Sequence, residues 1–214
     1  MLSRSEEYRK FFSWNMSILF MMALLLLSKP QAEGGAYFAY YLVEVSGYLL
    51  IISATLGRVW CALYITGRKN KVLCKDGPYS ICRNPSYLFT FFGVMGIVTV
   101  AQSLFLLFLI IPVFWTYYYL VIKSEERRLW AIFGEEYEDY CSRVKRLLPR
   151  FSNYWSKTII EINPQVTSKS IIDAGWFLWF LVLFELLKPI KVYAAHSHVL
   201  LSILQHFSFL SGLT

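Results

Sequence analysis

Residues 86–122 read SYLFTFFGVMGIVTVAQSLFLLFLIIPVFWTYYYLVI, and no charged residue interrupts them. Two apolar runs, Ser86–Val100 and Ser103–Ile122, are separated by almost nothing. Apolar runs of this length predict helices, and the missing gap predicts a helical hairpin. Its first arm is short for a bilayer span. Outward from the hairpin lie four more apolar runs: Phe11–Leu27, Tyr37 to about Thr66, Asp173–Leu187 and Val192–Leu210. Lys188-Pro189 is read as the break between the last two. Phe11–Leu27 follows Arg4, Arg9 and Lys10 but has no convincing small-x-small cleavage site. It reads as a retained helix rather than a removed leader.

Composition points the same way. Of 214 residues, 57% are hydrophobic and only 16% charged, against about 25% charged in soluble domains. Aromatics at 18% exclude disorder, and 11 Gly with four scattered Cys exclude collagen-like and disulfide-scaffold classes. The net charge of +7 sits in loops. With the N-terminus, the 67–85 loop and the 123–169 region on one side, that side holds every Lys and Arg except Lys29, Arg58, Lys188 and Lys191. This is a positive-inside pattern, not a nucleic-acid stripe. It closes on an all-α integral membrane protein of about six transmembrane helices. A cytosolic amphipathic helix lies between the fourth and fifth. Cys61, Cys74, Cys82 and Cys141 read as free thiols in a reducing compartment. Glu44 and Arg58 fall within the run from Tyr37, either inside a span, where charges are costly and often functional, or at a membrane edge, where they snorkel.

Two polar segments flank the hairpin and so meet at one membrane face. The first is Gly77-Pro78-Tyr79-Ser80-Ile81-Cys82-Arg83-Asn84-Pro85-Ser86-Tyr87. The second runs from Glu125-Glu126 to Tyr140 and on to Val144. Leu129, Phe133, Tyr137, Tyr140 and Val144 recur at helical spacing, predicting one amphipathic helix with the glutamate pair at its start, where the helix dipole favours anions. Taken singly, each feature has a plain reading: Pro85 as a first-turn residue, Asn84 as an N-cap, Arg83 as an interfacial cation.

Taken together, Gly-Pro-Tyr-x3-Arg-Asn-Pro-x-Tyr, an apolar hairpin, and Glu-Glu-x2-Leu-x3-Phe-Gly-Glu-Glu-Tyr-x2-Tyr-x2-Arg-Val-x4-Pro resemble the isoprenylcysteine carboxyl methyltransferase family, which is related to the phospholipid N-methyltransferases. The resemblance covers roughly Gly77 to Phe151. It divides the chain into N-terminal transmembrane helices (1–66), a methyltransferase core (67–151) and a C-terminal extension (152–214). It implies S-adenosylmethionine as methyl donor, a lipophilic or prenylated acceptor and a cofactor site facing the cytosol. The membrane would be a bacterial inner membrane or the endoplasmic reticulum. Nucleic acid is not an implied partner, and a monomer suffices. The family's Arg-His-Pro-x-Tyr motif falls on Arg83, Asn84, Pro85 and Tyr87, its Glu-Glu pair on Glu125 and Glu126, and a hairpin glycine on Gly96. Here Asn84 replaces the usual His, and Phe89 stands where Gly is common and would narrow any close approach. Family chains usually end soon after the segment matched by Pro149-Arg150-Phe151, whereas this one continues.

S-adenosylmethionine carries an ammonium, a carboxylate and a sulfonium. Glu125 or Glu126 suits the ammonium, and Arg83 or a helix start the carboxylate. Tyr79, Tyr87 or Trp130 suits adenine or the sulfonium. Arg127, Arg128 or Arg58 suits an acceptor carboxylate, which needs no general base. A prenylcysteine carboxylate is the first acceptor to consider. A phospholipid amine, a thiol and a phenolic lipid remain open, as do a sterol-reductase-like enzyme and a non-enzymatic bundle. His196-x-His198 reads as interfacial rather than metal-binding, and no metal is expected.

Overall fold

The computed structural model describes residues 37–160, 162 and 164–196. The predicted span Phe11–Leu27 and the chain beyond His196 lie outside them. The described residues are all-helical, without strands. Helix α1 is Tyr37–Ile65, α2 the single turn Pro78–Ile81, α3 Pro85–Ala101 and α4 Leu104–Phe133. Helix α5 is Glu135–Arg143, a 3-10 turn spans Phe151–Asn153, α6 is Pro164–Ala174 and α7 is Trp176–His196. Among the described residues, three segments are long and apolar enough to cross a membrane: Tyr37–Ile65, Phe105–Phe133 and Thr167–Pro189. Pro85–Ala101 is the shorter apolar helix, as its sequence predicts.

The hairpin turns on Gln102, which takes a left-handed conformation (φ 52°) and closes α3 through its N–H to Thr99 O at 3.1 Å. Ser103 caps α4. The charged residues from Lys123 onward do not end α4. Lys, Glu, Arg and Leu are strong helix formers, so the helix continues to Phe133. Thirty residues reach about 45 Å, well beyond a hydrocarbon core of about 30 Å. The predicted single amphipathic helix is therefore corrected. Glu125 and Glu126 sit near the end of α4, not at a helix start. Gly134, at φ 49°, breaks the chain, and Glu135, Glu136 and Glu138 take the favourable first turn of α5. A second correction concerns Lys188-Pro189. Helix α7 passes through Pro189 and runs to His196, while the break falls earlier, at Gly175.

Helices α1 and α3 make the closest crossing. Gly47 faces Gly96, and a Cβ on Gly96 would lie 2.8 Å from Gly47 O and 3.0 Å from Ile51 N. In lipid, helices gain little from apolar burial against each other, so backbone approach through small residues drives their packing. Ile51, Ile97, Val98, Val100, Ala101, Leu106 and Phe184 form the core beside this crossing. Phe89 packs over Gly57 of α1, filling the space a Cβ there would need. At the opposite end of the bundle from Ile65 and Pro85, Glu44 pairs with Lys188. Lys188 also meets Glu185 at 2.7 Å, and the one hydroxyl proton of Tyr48 is shared between Glu44 at 2.9 Å and Glu185 at 2.8 Å. The charge predicted inside α1 at Glu44 is thus paired with Lys188 of α7.

Gly96→Ala places a methyl group against backbone that cannot yield. It is expected to cost about 1–3 kcal/mol, read as a lower thermal midpoint in detergent without added ligand.

Candidate active site

Two segments distant in sequence build the site at one end of the bundle. Residues 77–84 lead from α2 into α3, and residues 145–155 follow α5 as a strap laid beside them. Arg83 N–H donates to Lys145 O (2.9 Å), Asn84 N–H to Arg146 O (3.1 Å) and Arg150 N–H to Ile81 O (3.0 Å). Gly77 N–H donates to Trp155 O (2.8 Å), and Trp155 N–H to Ser80 Oγ (3.0 Å). Asn84 occupies the N-cap position of α3 but makes no side-chain cap. Its amide donates instead to Arg146 O at 3.2 Å. Tyr140 donates its hydroxyl to Tyr79 O at 2.6 Å, tying α5 to α2. Each such bond contributes about 1 kcal/mol net.

Adjacent positions on a helix point about 100° apart, and the two glutamates separate accordingly. Glu126 is only 13% exposed and lies between Arg83 (3.2 Å) and Arg146, whose Nε and Nη2 reach its two oxygens at 3.1 and 2.6 Å. Glu125 turns to the other side. It accepts from Tyr87 at 2.7 Å and lies 3.5 Å from Lys69 and 3.7 Å from Arg128.

Between these groups opens a cavity of about 190 Å³. Of the residues singled out in the sequence, Tyr79, Arg83, Asn84, Tyr87 and Glu125 line it. Pro85 starts α3 close by, and Glu126 stands behind Arg83. Trp130 is 58% exposed, Arg127 and Arg128 are exposed on α4, and Gly96 lies in the α1–α3 crossing; none of these four lines the cavity. Sequence reasoning missed Lys69, Leu73 and Cys74 as wall residues and took Tyr137 and Tyr140 for stripe alone. The helical stripe is real: Tyr137, Tyr140 and Val144 pack with Leu73, Leu129 and Phe133, across the break at Gly134. The loop residues carry no local signal, because basic residues at an interface look the same whether or not they line a site.

Burial holds the Tyr79 and Tyr140 phenols well above the ordinary tyrosine range, and burial together with Glu126 does the same for Tyr137. These walls are therefore neutral hydrogen-bonding surfaces. Formal charge in the cavity comes from Lys69, Arg83 and Glu125. Burial also pushes the Cys82 thiol up to about 11, and all four cysteines are free.

A family model described as phospholipid methyltransferase matches residues 36–136. The cobalt-zinc-cadmium resistance protein CzcN of Cupriavidus metallidurans is 34% identical over 172 residues, covering 80% of this chain and 78% of its own. The protein-S-isoprenylcysteine O-methyltransferase of Schizosaccharomyces pombe is 30% identical over 87 residues, 40% of this chain and 37% of its own. The chain belongs to the isoprenylcysteine and phospholipid methyltransferase family. The nickel-cobalt-cadmium resistance protein NccN of Alcaligenes xylosoxydans xylosoxydans is a further relative, 37% identical over 132 residues, 62% of each chain. No solved structure matches the chain significantly. As a member of this methyltransferase family with three such apolar segments among its described residues, the protein is an integral membrane protein.

The buried phenols set an alkaline limit. In the unfolded chain they ionise near pH 10, while in the fold they stay protonated. Above pH 10 the unfolded state binds fewer protons, so stability is complete below about pH 10 and falls as pH rises further. Thermal midpoints from pH 8 to 11.5 check this. Tyr140→Phe is expected to cost about 1–3 kcal/mol at pH 8, by leaving Tyr79 O unpaired, and to flatten part of the alkaline fall.

Proposed function

We propose that the protein is an S-adenosylmethionine-dependent membrane methyltransferase acting on a lipophilic acceptor, with its donor site facing the cytosol. Arg83 carries the reading. Its guanidinium is paired on one side with Glu126, the residue lines the cavity, and its Nε is buried without a hydrogen-bond partner among the described residues. A carboxylate in the cavity suits this guanidinium. Across the cavity Glu125 offers a carboxylate for an ammonium, and Tyr79, Tyr87, Tyr137 and Tyr140 offer π faces for adenine and a sulfonium. The residues present therefore fit the donor: two cations, Arg83 and Lys69, one anion, Glu125, and aromatic walls. When bound, S-adenosylmethionine supplies a methyl group activated by its sulfonium.

The chain's own part is to hold and align. Glu126 fixes Arg83 and Arg146, and Arg146 carries the strap that closes over Asn84. Glu125, oriented by the Tyr87 hydroxyl, is assigned the ammonium. Arg128 and Lys69 lie beside Glu125 and steady its charge. An anionic acceptor needs no base, so alignment and exclusion of water are the main tasks. The site lies at the end of the bundle that receives the basic 67–85 and 123–169 segments, which supports a cytosolic face.

A prenylcysteine-like carboxylate is the first acceptor to test. The metal resistance for which CzcN and NccN are named accords with a carboxyl acceptor. Esterification removes a negative charge and a hard oxygen ligand of the kind divalent cations bind.

The deciding assay uses purified protein, methyl-labelled S-adenosylmethionine and N-acetyl-S-farnesylcysteine. Label released as methanol by base establishes carboxyl methylation. Base-stable label in native lipid extract moves the acceptor to an amine, thiol or phenol. Glu125→Gln is expected to weaken S-adenosylmethionine binding about 10- to 100-fold, the loss of one charged hydrogen bond, with little change in thermal midpoint. Glu126→Gln is expected to lower the midpoint and expose residues 145–155 to protease.

A further inference from the structure

Arg58 lies about two helical turns inside the end of α1 at Ile65. Among the described residues no carboxylate lies within 4.0 Å of it. The other described charges deep in the bundle, Glu44, Glu185 and Lys188, compensate one another at the far end. An uncompensated cation inside a span is costly, and such residues persist where they do something.

A guanidinium has five N–H donors. Two are engaged here: Nη1 donates to Thr90 Oγ1 at 2.9 Å, and Nη2 to Asp173 O at 3.5 Å. Thr90 donates its own proton to Ser86 O (2.8 Å), so a lone pair faces Arg58 and fixes it. The Phe177 ring lies 5.5 Å from the guanidinium carbon. Nε is buried with no partner among the described residues. The surroundings orient this cation without neutralising it.

Its position relates it to the donor cavity. Thr90 is three residues along α3 from Tyr87, about 4.5 Å deeper along the axis. Tyr87 lines the cavity and bonds Glu125. The unneutralised cation is therefore one turn below the cavity wall, toward the hydrocarbon, beside Phe177.

We infer that Arg58 receives the anionic group of the acceptor, and that the acceptors are lipids bearing a carboxylate or phosphate. This rests on the donor site proposed above. Arg127 and Arg128 are exposed beyond the membrane and do not face the bilayer at this depth. Arg58 also selects against protonated amine head groups, which it repels. Its role is to bind and orient. The charge it recognises is buried in a low-dielectric site, where pairing is strong and an uncharged analogue leaves the guanidinium unmet.

The test uses the full-length protein in a non-ionic detergent, without S-adenosylmethionine. Equilibrium binding is measured for N-acetyl-S-farnesylcysteine, its methyl ester and farnesyl monophosphate, with N-acetylcysteine and inorganic phosphate as soluble counterparts. The wild type is expected to bind the two anionic lipids at least tenfold more tightly than the ester. Arg58→Gln is expected to erase that preference, and Arg58→Lys and Thr90→Val to retain part of it. The Kd for S-adenosylmethionine, measured separately, is expected to stay unchanged in all three variants. Equal binding of ester and acid by the wild type, or an undiminished preference in Arg58→Gln, overturns the assignment and leaves Arg58 as a cap on the Asp173 carbonyl. Soluble anions bound as tightly as the lipid ones overturn the lipid class. Wild-type protein that discriminates acid from ester but binds no S-adenosylmethionine overturns the methyltransferase reading instead, so the two failures are distinguishable.

Discussion

Glu126 between Arg83 and Arg146 is the contact on which the site depends. It joins the end of α4, the entry to α3 and the strap after α5. It acts with the packing of mid-α4 on α3, where Phe114, Trp115 and Tyr118 meet Phe91 and Tyr87, and with the backbone hydrogen bonds that lay the strap beside residues 81–84. Arg146 is 43% exposed, so its half of the cluster is worth only the modest amount of a screened pair. Arg83 is as enclosed as Glu126, each at 13%. Removing either would leave its partner's charge poorly solvated, and that half is the stronger constraint. The strap's hydrogen bonds then follow, because Asn84 can reach Arg146 O only while Arg146 is held.

Bilayer thickness supplies the second constraint. Helix α4 begins at Ser103 and needs about 20 residues to cross. Its first charge, Lys123, therefore arrives at the interface, and the glutamates one turn later stand clear of the hydrocarbon. Helix α3 enters at Pro85 from the same face. A hairpin with a two-residue turn thus sets Tyr87 level with Tyr118, their rings 5.2 Å apart, and Glu125, about two turns further along α4, meets the Tyr87 hydroxyl at 2.7 Å.

Much of this was readable in the chain. The apolar runs, the hairpin and the pairing of 77–87 with the 125–140 region follow from hydropathy and connection length. What was not readable depended on local choices that hydropathy does not record. Charged residues that are good helix formers extend α4 silently, so the break appeared to be at Lys123 when it lies at Gly134. Pro189 looked like a terminator, yet α7 accommodates it. Glu125 and Glu126 were one motif in the sequence and take two separate sets of partners in the fold, because neighbours on a helix diverge. Lys69 and Leu73 joined the cavity through a loop whose path nothing local specifies.

Charge placement distinguishes the two ends of the bundle. At the far end Glu44, Tyr48, Glu185 and Lys188 satisfy one another, and their joint role is to fasten α1 to α7. At the near end Arg83 and Arg58 each keep a buried Nε without a partner among the described residues. A fold selected for stability alone would satisfy both sets in the same way, since an orphaned buried donor costs about 1–3 kcal/mol. The two orphans sit at different depths, one in the polar cavity and one about a helical turn further toward the hydrocarbon. On the reading proposed above, a polar donor and an apolar anion use that arrangement: Arg83 at the entry to α3 and Arg58 on α1, two cations held at different depths.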